Sequence, residues 1–131
     1  MALRDDVSHP ENYKHRFHWE AEEVQIIDAG QAGEQNLGSG PSIADNTIRI
    51  NELTLRNSGT ADTVVSLLVL SDAVYRVKVS IICTAASSVE WESKQGRKFV
   101  YGEQPIVRAS VVTGGTIYIS ASGIEASIVD S

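Results

Sequence analysis

The sequence predicts an all-β fold: an antiparallel β-sandwich or jelly roll of about eight strands, with an extended N-terminal arm. Three observations carry that expectation. Apolar residues recur at every second position over residues 87–127, the rhythm of strands with one face buried. Glycine-bearing turns at Gly96, Gly102 and Gly114-Gly115 cut this stretch into short pieces. Almost nowhere do apolar residues hold a helical period over a helix's length.

Residues 1–22 read as the arm and residues 23–131 as the sandwich. In the arm, Asp5, Asp6, Pro10, Glu11 and Asn12 interrupt the apolar residues. A short helix over 12–23 would bring Tyr13 and Phe17 onto one face. Tyr13, Phe17 and Trp19 sit among polar neighbours, where aromatics are costly unless they find a surface to cover. They either pack on a partner or cap their own domain's core. His15 and His18 are three apart, a helix-neighbour spacing, but no third ligand stands near; ordinary exposed histidines are expected, and no metal.

Residues 23–29 read as a first strand. Residues 30–46 read as a long loop, since Gly30, Gly33, Gly38, Gly40 and Pro41 all fall within it. Loops this long in a compact domain are usually functional, so Leu37 joins the arm's aromatics as a candidate contact. The segment lacks the Lys-Ser/Thr ending and the following helix of a phosphate loop.

Over 47–57, Ile48 and Ile50 are even-numbered while Leu53 and Leu55 are odd. A period of two cannot bury all four on one face without a bulge or bend, placed at Asn51-Glu52, which would also let the strand pass into a second sheet. Residues 63–70 (TVVSLLVL) are apolar on both faces and β-branched, as a central strand requires; a buried helix is the alternative. In 75–83, Tyr75, Val77, Val79, Ile81 and Cys83 alternate with Arg76, Lys78 and Ser80. Val89 and Trp91 then oppose Glu90 and Glu92. A turn at 93–96, a short strand over 98–101 and a turn at 102–105 follow. Residues 106–112 and 116–122 read as a final hairpin around Thr113-Gly114-Gly115, and 124–131 as a tail that adds an edge strand.

Composition narrows the function classes. At 131 residues and 42% hydrophobic content, the chain supports one domain with a real core. The net charge of −6, with no basic run, argues against binding a phosphate backbone. The single cysteine, Cys83, excludes an intrachain disulfide and reads as a small buried hydrophobe. No apolar run is long enough to span a bilayer, and the first residues have no apolar signal core, so synthesis in a cytosol is expected.

Reaction chemistry is hard to place. All three histidines (His9, His15, His18) precede the first expected strand of the sandwich, far from any serine elbow, so a triad is not expected. Glu90 and Glu92, two apart on one strand face, would stand roughly 7 Å apart, a spacing compatible with a glycosidase pair. The same pattern arises on any solvated strand face, and that is the reading adopted. Trp91 shares its phase with Val89 and belongs to the core. Tyr118 points away from Ile117 and Ile119 and is the better exposed aromatic, for packing against a partner or, in a lectin-like module, for stacking a sugar.

Several pieces together resemble small β-sandwich virion proteins of tailed bacteriophages, of the capsid decoration (cement) type. They are INELTLRNSGT (50–60), TVVSL (63–67), residues 91–99 from Trp91 to Phe99, and YISASGIE (118–125). The shared features are a strand ending in Leu55-Arg56-Asn57-Ser58, an apolar strand after it, a turn from Gly96 to Glu103, and a closing Ser122-Gly123-Ile124-Glu125. The likeness spans about residues 47–126. It implies a non-enzymatic virion structural protein without cofactor that binds the major capsid protein, oligomerises as a homotrimer on the capsid surface, and touches neither nucleic acid nor membrane. The alternative is a tail-fibre or lectin-like receptor-binding module. Partner contacts are then expected from the arm and loops, at Tyr13, Phe17, Trp19, Leu37 and Tyr118.

Overall fold

The computed structural model describes residues 13–128, with side chains from 16 to 127. Eight strands run through them: β1 (Tyr13–Ile26), β2 (Gln35–Asn36), β3 (Asn46–Asn57), β4 (Thr63–Ser71), β5 (Val74–Cys83), β6 (Ser87–Val100), β7 (Gln104–Ala109) and β8 (Ile117–Ile128). They form two antiparallel four-stranded sheets, ordered β1-β8-β3-β6 and β2-β7-β4-β5. Only β4 and β5 are both consecutive in sequence and hydrogen-bonded neighbours. This is a jelly roll, and the fold class read from the sequence holds.

One core fills the space between the sheets. Ile48, Ile50, Leu53, Leu55 and Ile119 enter from the first sheet, and Val65, Leu67, Val69 and Val107 from the second. The even-to-odd switch in β3 is resolved as expected, by a register break between Ile50 and Glu52 that keeps all four apolar residues buried. β3 does not change sheets there, because β8 and β6 flank it on both sides of the break. The partner absorbs the mismatch. In β6, the expected turn at 93–96 is a bulge inside one long strand, with Glu92 paired to Glu52 and Arg97 paired to Ile50. Gly96 lies there at φ +70°, a left-handed conformation in which a side chain would be strained.

Three other expectations are corrected. Where a helix is expected over 12–23, the described residues from Tyr13 on are strand, and β1 runs through the 22/23 boundary, pairing with β8 from Tyr13 to Ile26. Its inward Trp19 and Ala21 alternate with outward Arg16, His18 and Glu20, a period of two. The hairpin over 106–122 does not form. β7 is flanked by β2 and β4 and β8 by β1 and β3, so neither has a free edge for the other and the Gly114-Gly115 turn crosses between sheets. That turn is tied down by the Thr60 N–H donating to Thr113 O at 2.8 Å. For the same reason residues 124–128 extend β8 at an interior position instead of adding an edge strand.

The alternation in β5 also fails at one point. Opposite Leu67 and Leu68 the register skips Lys78, so Val77 turns outward and is 59% exposed. Lys78 lies half-buried with its ammonium 5.5 Å from the Phe99 ring centroid. Residues 30–46 hold a 3-10 turn (Gly30–Gly33) and the short strand β2, which pairs with β7.

Candidate interaction surface

The structure divides the residues expected to meet a partner. Trp19 is buried, and its indole N–H donates to the Ser39 carbonyl at 3.2 Å, so it fastens β1 to the segment before β3. Leu37 is fully buried in the same core, held by its N–H donating to Pro105 O at 2.9 Å. In this fold neither side chain is on the surface; both face inward because β1 and the 30–46 segment close one end of the sandwich. Phe17 is 51% exposed, and Tyr118 is half-buried on the outer face of β8. The Tyr13 side chain lies outside the described residues. Arg56 stacks 3.9 Å from the Tyr118 ring centroid, so one face of that ring is already covered. Trp91 packs against the core as expected, with Arg97 at 5.1 Å from its ring centroid.

The outer face of the β1-β8-β3-β6 sheet is divided by charge about the β3 bulge, apart from Arg56, which lies over Tyr118 at the far end of the acidic half. Across the strands, Glu20 lies opposite Ser122, Ser122 opposite Glu52, and Glu52 opposite Glu92. The Ser122 hydroxyl donates to Glu52 at 2.7 Å. Glu90 follows two residues from Glu92 on the same exposed face, as its sequence phase required. Beyond the bulge the sign reverses. His18 lies opposite Ile124, Ile124 opposite Arg49, and Arg49 opposite Lys98. Arg16 and Lys94 join Arg49 and Lys98 around a cleft of about 140 Å³, smaller than the ~300–1,000 Å³ of drug-sized ligand sites. These four cations are spread over more than eighty residues of sequence, so no local run announces them.

On the other sheet's outer face, Glu34 accepts hydrogen bonds from the Tyr75 hydroxyl and from Arg108 Nη2, the latter at 2.7 Å. Burial alone would raise the Glu34 carboxyl, but these two partners hold it below its ordinary value. Donation to Glu34 pushes the Tyr75 hydroxyl up, and the Arg108 guanidinium lies 5.3 Å from the Tyr75 ring centroid. Sequence reasoning missed this network, whose members come from three separate strands or their flanks. Cys83 is buried, as read from its phase, and burial pushes its thiol up, away from the reactive thiolate. Among the described residues no cluster of His, Cys, Asp or Glu has metal-site geometry, and no helix is long and apolar enough to cross a membrane.

Neither a family model nor a curated protein matches the chain. Among solved structures it is similar to a chain of the T13 IBDV viral particle, with a TM-score of 0.55 and 10% identity over 96% of this chain and 36% of that one. This chain therefore spans about a third of that protein's length. It is also similar to a chain of the cyanophage Pam1 capsid asymmetric unit, with a TM-score of 0.49 and 12% identity over 95% and 93% of the two chains. At such identities the likeness is one of fold, and the first of these places the chain with a β-sandwich of the kind found in a viral particle.

Proposed function

We propose that the chain is a non-enzymatic virion structural protein, a decoration protein that adheres to the major capsid protein of a phage head. The observation that supports this best is the strand order. Two four-stranded sheets, cross-connected between nearly every consecutive strand pair, make a stiff plate whose outer faces and end loops are left for contacts. A protein repeated at many symmetric positions on a shell needs that stiffness and a closed oligomer, and a homotrimer suits local three-fold points. The likeness of fold to a viral particle protein agrees with the proposal.

In this reading Phe17 and Tyr118 contribute contact surface, with Tyr13 four residues before Phe17 in the chain. Trp19 and Leu37 act indirectly, by holding the surface in shape. The test is cosedimentation of the full chain with shells assembled from the major capsid protein of the phage that carries it. Saturable binding is expected, weakened about tenfold or more when Phe17→Ala and Tyr118→Ala are combined, as for interface aromatics generally. No cosedimentation at any concentration would sink the proposal.

A further inference from the structure

The sign reversal on the β1-β8-β3-β6 face sets a conflict within the single chain. Glu52 stands directly opposite Glu92, and Arg49 directly opposite Lys98. Like charges at opposed positions destabilise a strand pair. Among the described residues none of Arg16, Arg49, Lys94 and Lys98 pairs with a carboxylate, although Glu20, Glu52, Glu90 and Glu92 occupy the other half of the same face. All eight side chains are exposed. The Ser122 hydroxyl and His18 reach Glu52 and Glu20, but among the described residues no Lys or Arg closes an ion pair across this face, which points to opposite charge supplied from outside.

We infer that a second copy of this chain docks on this face. Half a turn about an axis lying in the interface and crossing the strands sets the basic half of each copy on the acidic half of the other. Every like-charge pair then meets two opposite charges, and both contacts are the same by symmetry. The extent is adequate: four strands of about twelve residues make a face roughly 40 Å by 19 Å, about 750 Å², near the ~800 Å² per partner of a stable complex. The pairing concerns copies of the free chain; it covers Tyr118 on the same face, so a shell contact through that residue would compete with it. If the chain also closes into rings through other contacts, the pairing doubles the ring.

The test is charge exchange, read as particle mass by sedimentation velocity. One variant carries Lys94→Glu and Lys98→Glu, the other Glu90→Lys and Glu92→Lys, and circular dichroism confirms that each is folded. At about 50 mM salt the native chain is expected at about twice the mass of either variant, and an equimolar mixture of the two variants recovers the double mass. At about 500 mM salt, where the Debye length is roughly 4 Å, the native mass is expected to fall by about half. A native chain that never exceeds the mass of the variants would overturn the inference. So would a mixture that stays unpaired, or a face that a shell protein occupies while the free chain remains single.

Discussion

Asn57 shows at the scale of one residue how this sandwich is locked. It is buried to 1% exposure; its amide donates to Ala61 O at 2.8 Å and Cys83 O at 3.2 Å, and its side-chain oxygen accepts from the Gly59 N–H at 2.8 Å. Asn57→Ala strands these groups in the interior and is expected to cost about 2–3 kcal/mol, read as a lower urea midpoint with an unchanged slope. Trp19 is a similar anchor, and Trp19→Ala should cost about 3–5 kcal/mol. Trp19→Phe, which keeps most of the packing and loses the bond to Ser39 O, should cost only about 1 kcal/mol. Equal losses in the two variants would mean that the hydrogen bond, not the burial, holds β1 down.

Glu34 brings a pH dependence. Its carboxyl is lowered in the folded chain, so its contribution is present above the unfolded value and is lost as pH falls through the folded one. Tyr75 runs the other way: its raised hydroxyl contributes below 10.0 and loses that contribution as pH rises through the folded value. The stability gap between the native chain and Glu34→Gln is therefore expected to be full at neutral pH and to shrink below about pH 4.5. Urea unfolding at a series of pH values checks this; a gap that widens on acidification would contradict the Glu34 assignment.

Among the elements, β8 is one of four interior strands, with β1 and β3 holding its two edges. Gly123 marks the tightest point. It lies between Trp19 and Ile50 in register, and a Cβ there would stand 1.9 Å from the Arg49 carbonyl oxygen. Gly123→Ala must push β8 away from β3 and is expected to cost at least about 2 kcal/mol, seen as a drop in Tm. A substitution tolerated without loss would mean that the two strands part more easily than their register implies. The β1 expectation shows what a local reading can miss. The alternation of inward Trp19 and Ala21 with Arg16, His18 and Glu20 was already present, but the proline and acids before it made the segment look like an arm. Pairing with β8 decides between strand and arm, and β8 lies about a hundred residues away in the sequence.

For the molecule as a whole, the topology sets a folding expectation. Only the β4–β5 pair is local, so nearly every other pairing must close a long loop first. Refolding followed by Trp19 and Trp91 fluorescence is expected in the millisecond-to-second range; a microsecond phase accounting for the whole change would show that local contacts dominate. The same topology separates two functions in space. The interior fastens both sheets through apolar packing, while the outer face of β1-β8-β3-β6, which carries the charges and Tyr118, is left for association.

The sequence by itself determined the fold class, the β3 bulge, the burial of Cys83, and the outward phase of Glu90, Glu92 and Tyr118. Each follows from a period of two, which any short window displays. It could not determine the strand order, the crossing at Gly114-Gly115, or the inward positions of Leu37 and Trp19. The gathering of Arg16, Arg49, Lys94 and Lys98 opposite an acidic row was equally hidden. Those depend on which strand lies beside which, and hydrogen-bond pairing between distant segments is settled only when both sheets compete for the same core.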